Sequence, residues 1–375
     1  MQDSWSQVDP DGLLEYSVVY TDRALNHMSA RFQHVLNDIS GVLKQVYNAP
    51  TSVIVPGSGT FGMEAVARQF ASGRKVMIIR NGWFSYRWTQ ILAMGSIPSE
   101  SIVMKARRTG DGTQAPFAPA PIDEVVERIR SNKPAVVFAP HTETSAGMLL
   151  PADYLRAVGD AVHEVGGLFV LDCIASGTDW VDMQACAVDV LISAPQKGWS
   201  ASPCCAMVML SARARDRIES TTSSSYACDL RKWLEIIEKF EAGGHAYHAT
   251  MPTDGLVRLL EMMHETRALG FDTARQRQLE LGRRVRALLE GRGFPSVAAE
   301  GFQASGVVVS YTRDAQIQSG QRFAQAGVQI AAGVPLMCDE GEDFRSFRVG
   351  LFGLDKLQKV DEAVQRFEQG LNRIG

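Results

Sequence analysis

Residues 166–209 read GGLFVLDCIASGTDWVDMQACAVDVLISAPQKGWSASPCCAMVM, and two apolar runs within them decide the architecture. Residues 168–171 and 188–192 have the length and β-branched content of strands buried on both faces. Each runs straight into polar residues: Asp172 ends the first and Lys197 follows the second. In an open α/β sheet the ligand crevice lies outside the carboxyl ends of the parallel strands, so an Asp and a Lys at two such ends can face one cavity.

The same alternation extends outward from this stretch. Upstream, residues 52–55, 75–79 and 135–139 read as short apolar strands, ending in PGSGTFG, RNGWFSYR and PHTETSAG respectively. Between them lie helical spacings. Phe32, Val35, Leu36, Ile39, Val42, Leu43 and Val46 recur at three- and four-residue steps before Pro50, residues 63–70 continue from the glycine-rich turn, and residues 153–163 repeat the pattern. Strands alternating with helices up to residue 210 predict an α/β fold with a mostly parallel sheet. Beyond residue 211 charged helices dominate, with a helical series over 253–292. Strands at 307–311 and 347–349 and helices at 318–326 and 357–371 then suit a smaller α+β unit. The expected division is an N-terminal arm over 1–20, a large domain over 21–268 and a small C-terminal domain over 269–375.

Composition narrows the class. A chain of 375 residues with 45% hydrophobic residues can bury a full core plus a smaller one. Its net charge of -4 is spread without blocks, which argues against nucleic acid or an anionic membrane as partner. The start MQDSWSQVDP has no basic or apolar leader pattern, and no long apolar run occurs, so a cytoplasmic protein is expected. Six cysteines without a C-x-x-C pair read as reduced, packed thiols, with no disulfide and no zinc. His245 and His248 lack the partners of a metal site and read as packed histidines. GSGTFG is not the G-x-S-x-G elbow of a serine hydrolase.

The pair at the strand ends suits pyridoxal phosphate. That cofactor needs a lysine amine to form an imine with its aldehyde, and an anion to keep its pyridine nitrogen protonated. A lone lysine is most often solvated, and an Asp after a strand usually caps the next turn; their pairing is what favours chemistry. Lys197 also lies in APQKGW, between Pro and Gly rather than helix formers. Ser58, Gly59 and Thr60 at a turn opening a helix offer N–H groups, hydroxyls and a favourable dipole to a phosphate; a plain strand-to-helix turn is the bland alternative. One ring among Trp83, Phe84 and Tyr86 can stack on a planar cofactor or pack in the core. Glu143 and Thr144 offer the ring oxygen a hydroxyl, or satisfy their own turn. Arg348, in an otherwise apolar strand, suits a substrate carboxylate or an internal acid.

With these residues assembled, the chain resembles the class V aminotransferases among the fold type I pyridoxal phosphate enzymes, most closely the alanine/serine:glyoxylate group. The likeness spans about residues 51–352 and rests on GSGTFGMEA, NGWFSYR, HTETSAG, LDCIAS, SAPQKGW, YHATMP and FRVGLFG, in the family's order. It implies Lys197 as the imine-forming base and Asp172 at the pyridine nitrogen. It further implies Thr144 at the ring oxygen, Ser58, Gly59, Thr60 and Gln196 at the phosphate, Phe84 as the stacking ring and Arg348 at the substrate carboxylate. Tyr247 and Thr250 would reach the phosphate of a neighbouring subunit, making the active unit a homodimer. The implied reaction is transfer of an amino group from a small donor to a small 2-oxo acid such as glyoxylate or pyruvate, in two half-reactions.

Two departures stand out. Where the family carries a Gly-Pro-rich segment that closes over substrate, this chain reads LEYSVVYTDRALNHMS, and Phe84 stands where relatives often have Trp. The donor therefore stays open between an amino acid and a 2-aminoethylphosphonate-type compound. A lyase or desulfurase would need a nucleophilic cysteine, for which Cys338 is the candidate in the small domain. A non-catalytic pyridoxal phosphate-binding protein is the non-enzyme alternative, against which the intact set of Asp172, Lys197 and Arg348 argues.

Overall fold

The computed structural model describes residues 8–374, so that 1–7 of the expected arm lie outside the described residues. Strands β1 (Thr51–Pro56), β2 (Lys75–Arg80) and β3 (Glu100–Lys105) come first. A short hairpin follows, β4 (Arg107–Arg108) with β5 (Phe117–Ala118). Then come β6 (Val136–Pro140), β7 (Leu168–Asp172), β8 (Val190–Ser193) and β9 (Cys205–Leu210). All but the hairpin join one seven-stranded sheet in the order β1, β9, β8, β7, β6, β2, β3. From β3 to β8 every pairing is parallel; β9 alone runs against its neighbours, antiparallel to both β8 and β1. In β6, β7, β8 and β9 every residue is buried, which is why these strands read as continuous apolar runs rather than alternating ones.

Helices α1 (Ala30–Tyr47), α2 (Gly59–Phe70), α3 (Trp83–Met94), α4 (Ile122–Asn132) and α5 (Ala152–Glu164) fill the connections between strands or precede them. Local chemistry sets their ends. The Ser29 side chain accepts from Phe32 N at the start of α1, and Asn48 closes it in the left-handed conformation at φ 50°. The α1 face made by Phe32, Leu36, Ile39 and Leu43 is fully buried, as the three- and four-residue spacing demands. After β9 come α6 (Ala212–Glu219), α7 (Leu230–Glu241), α8 (Thr253–Leu269) and α9 (Phe271–Gly291). The helical series over 253–292 is thus two helices, broken at Gly270, whose φ of 92° a side chain would resist.

A second, antiparallel sheet follows, built from β10 (Val307–Tyr311), β11 (Ala331–Ala332) and β12 (Ser346–Gly350) in the order β10, β12, β11. One core draws on residues from Leu25 to Met263, another on residues from Ala274 to Leu371, and a third cluster packs Val309 of β10 with Phe117 of the hairpin, Met148 of the turn after β6, and Cys338. The helix expected over 318–326 is two short ones, Ala315–Gln318 and Gln321–Gln325. Gly320 between them takes φ 82° and interrupts the pattern that the apolar spacing alone suggested. No helix among the described residues is long and apolar enough to cross a membrane.

Candidate active site

The carboxyl ends of β1, β2, β6, β7 and β8 lie along one edge of the sheet, the edge where a crevice is expected in an open α/β fold. Asp172 is the last residue of β7 and is only 8% exposed. Its Oδ1 accepts from Ile174 N at 3.1 Å, while Oδ2 has no hydrogen-bond partner among the described residues. Burial pushes its carboxyl up to about 7, aided by the nearby Glu143 and opposed by the Ile174 bond and Arg87. An isolated buried carboxylate is costly, so this group lacks the cation that would stabilise it.

Lys197 lies on the turn after β8. Its Nζ makes no hydrogen bond or ion pair among the described residues and stands 5.1 Å from the centre of the Phe352 ring. Burial, then Arg348, then Arg87 lower its pKa, so the neutral amine is reached more easily than in an ordinary lysine. The turn is held by contact: a Cβ on Gly198 would lie 1.9 Å from the Gly177 carbonyl oxygen, so only glycine lets the chain pass there.

At the end of β1, α2 opens at Gly59 with Ser58 as its N-cap, and the Ser58 side chain makes no capping bond. The N–H groups of Ser58, Gly59 and Thr60 have no partner among the described residues, which leaves a row of donors at the positive end of a helix dipole. Gln196, beside Lys197, is exposed. Thr144, on the turn after β6, is 7% exposed, and its hydroxyl is likewise without a partner among the described residues.

The aromatic candidates separate. Trp83 and Tyr86 contact one another at 5.8 Å, and the Arg80 guanidinium lies over Tyr86. The Phe84 ring instead has the Arg87 and Arg348 guanidinium carbons 5.2 and 5.4 Å from its centre, which marks it as the ring beside the crevice cations. Arg348, in β12, donates from Nε to Ala332 O at 2.8 Å and pairs with no acid among the described residues. Burial lowers its pKa, partly offset by Glu143.

Two residues that carry this geometry were not given these roles by sequence reasoning. Glu143, fully buried, accepts from Phe84 N, Ser85 N, Ser85 Oγ, Ser145 N and Ser145 Oγ at 2.6–3.1 Å. It therefore anchors the first turn of α3 rather than serving the ring oxygen, and a Cβ on Gly82 would fall 2.7 Å from its Cδ. Arg87 is the other, three residues after Phe84 in NGWFSYR; the i, i+3 spacing on α3 was the available signal.

Among the described residues, Tyr247 and Thr250 make no hydrogen bond or ring contact with the site residues of their own chain. Both are exposed, on the loop between α7 and α8, and they hydrogen-bond one another at 3.1 Å. The Tyr247 ring lies against His27, and the Tyr20 hydroxyl donates to Met251 O nearby, so the N-terminal segment is fastened to this loop. Cys338 is 4% exposed, its thiol directed at Arg80 O at 3.4 Å and pushed up to about 12 by burial. His248 Nε2 pairs with Tyr226 O at 2.8 Å, and no cluster of possible metal ligands occurs among the described residues.

The donor set fits pyridoxal phosphate: an unpaired lysine amine, a carboxylate oxygen without a partner, free N–H groups at a helix start and an aromatic ring flanked by two arginines. No protein-family model matches the chain. Among curated proteins it is 24% identical to the small subunit of a soluble hydrogenase from Synechococcus sp., over 94% of this chain and 88% of that protein. It is 24% identical to alanine–glyoxylate aminotransferase from Felis catus, over 93% of this chain and 82% of that protein. Among solved structures it is similar to ureidoglycine–glyoxylate aminotransferase from Bacillus subtilis, with a TM-score of 0.79 and 20% identity, over 96% of this chain and 87% of that one. The fold is that of the fold type I aminotransferases, α/β with a mostly parallel central sheet.

Proposed function

We propose that this chain is a pyridoxal phosphate-dependent aminotransferase that moves an amino group from a small donor to a small 2-oxo acid, glyoxylate or pyruvate. The observation that carries this reading is that Lys197, Asp172 and the open first turn of α2 are gathered around Arg87, whose charge acts on both Lys197 and Asp172 and whose guanidinium bonds Thr60. When bound, the cofactor supplies an aldehyde and an electron-withdrawing ring that acidifies the donor's α-carbon. Lys197 Nζ would hold the cofactor through its aldehyde; freed by the donor amine, it would take the α-carbon proton as general base and deliver it to the cofactor's aldehyde carbon as general acid. Its lowered pKa suits both roles.

Asp172 would keep the pyridine nitrogen protonated, and that cation would in turn restore the carboxylate that burial disfavours. Phe84 would cover the ring and Thr144 would serve the ring oxygen. Ser58, Gly59, Thr60 and Gln196 would hold the phosphate, and Arg348 would take the donor carboxylate. The deaminated donor, its carbonyl oxygen supplied by water and its amino group left on the cofactor, would leave before the acceptor enters, because one site serves both.

We assign Tyr247 and Thr250 to the phosphate of a second copy, which makes the unit a homodimer with shared sites. Their exposure supports this, with hydroxyls that bond only one another, as does the exposure of Leu13, Leu14, Tyr16 and Val18 in the segment fastened to the same loop. The proposed division is a large domain over 21–268 and a small one over 269–375, with Gly270 between α8 and α9 at the junction. A cytoplasmic location accords with six free thiols. The buried Cys338 thiol, held well above a reactive range, argues against a desulfurase.

The test is a single half-reaction. Protein loaded with pyridoxal phosphate and given amino donors without acceptor is expected to release close to one 2-oxo product per site, then to aminate glyoxylate. Silence across amino acids and aminoalkylphosphonates alike would overturn the assignment.

A further inference from the structure

We propose that Arg87 is a phosphate-recognising cation of the cofactor site, supplied by the helix that carries the stacking ring rather than by the phosphate cup itself. This rests on the pyridoxal phosphate reading above. Arg87 Nη1 donates to Thr60 Oγ1 at 3.3 Å, bridging α3 to the first turn of α2. Its guanidinium also lies over Phe84, and among the described residues it pairs with no acid. The nearest acid on α2, Glu64, is taken by Arg68 at 2.7 Å.

Charge arithmetic explains why a cation belongs there. A phosphate monoester carries about -1.5 to -2 near neutral pH, whereas a helix N-terminus supplies only about +0.5. Ser58, Gly59, Thr60 and Gln196 are neutral, so more than half of the phosphate charge has no counter-charge from the cup. Lys197 is committed to the aldehyde, and Arg348, on β12 of the other sheet, is assigned to the donor carboxylate. Arg87 remains, already bonded to a residue of the cup. The bond also has a direction: because Thr60 Oγ1 accepts from Arg87, its own O–H is free to donate toward an anion, and the cation polarises it to do so.

The experiment compares pyridoxal phosphate with phosphate-free pyridoxal, by equilibrium binding to apo protein, in wild type, Arg87→Gln, Arg87→Lys, Thr60→Val and the double variant. Arg87→Gln is expected to weaken pyridoxal phosphate by about tenfold or more, the loss of one charge-assisted contact, and to leave pyridoxal unchanged. Arg87→Lys should recover part of the loss. Inorganic phosphate should compete less well in Arg87→Gln, and the double variant should lose less than the sum of its parts. Equal weakening of both ligands would assign Arg87 a structural role and overturn the proposal. So would unchanged pyridoxal phosphate affinity with a raised donor KM. A wild-type protein that binds neither ligand would instead overturn the functional reading itself.

Discussion

At Asp172 burial and function pull in opposite directions. Without its cofactor the carboxyl sits at about 7 rather than 3.8, so the folded state favours the proton. A folded value above the unfolded one gives stability that is full below 3.8 and is lost as pH rises through about 7. Apo wild type is therefore expected to melt progressively lower relative to Asp172→Asn over that window, with the gap constant above it. Pyridoxal phosphate should remove the slope in wild type, and melting curves across pH in both forms check this. At Lys197, substitution by Ala is expected to abolish turnover while leaving a reversible cofactor complex, detected by loss of the cofactor on dialysis. At Arg348, replacement by Gln should raise the KM of carboxylate donors about tenfold or more with a smaller change in kcat. These residues were legible because each is a polar group where an apolar strand ends or is interrupted. Arg87 and Glu143 were not, because the partners that define them, Thr60 and Ser85, lie in other elements or across a turn.

Among the elements, α3 depends most on a distant residue. Its first turn hangs on the Glu143 carboxylate, which satisfies the Phe84 and Ser85 N–H groups that a helix start leaves unpaired. Glu143→Gln places an amide donor against that row of donors, and each one left unpaired costs roughly 1–3 kcal/mol. Denaturant unfolding should register that loss, and cofactor affinity should fall with it as Phe84 and Arg87 lose their footing. Gly198→Ala is a second test of an element's end: its Cβ would meet a backbone oxygen, which cannot yield as a side chain can. The cost is expected at or above the upper end of the about 1–3 kcal/mol usual for overpacking, with Lys197 displaced. Strand and helix positions in the main sheet were readable from apolar runs and three- to four-residue spacing. The break at Gly320 and the reversed direction of β9 were not, because a fully buried strand reads the same whichever way it runs.

For the molecule as a whole, shared sites make a sharp demand on mixing. Lys197→Ala and Thr250→Val copies should each be inactive or weak alone. Denatured and refolded together in equal amounts, they should restore about a quarter of wild-type sites, since half the dimers are mixed and each holds one intact site. Sedimentation at falling concentration should lower cofactor retention in step with dissociation; retention by a monomer would contradict the shared arrangement. The reversed strand β9 has a consequence at this scale too. It contributes no residue to the proposed chemistry, yet it stands between β1, which ends at the phosphate cup, and β8, whose following turn carries Lys197. Strands lie about 4.8 Å apart, so the cup is set roughly 10 Å from the lysine's strand and Asp172 half that on the other side. β9 is a ruler: its width, rather than any side chain, matches the site to the length of the molecule it holds.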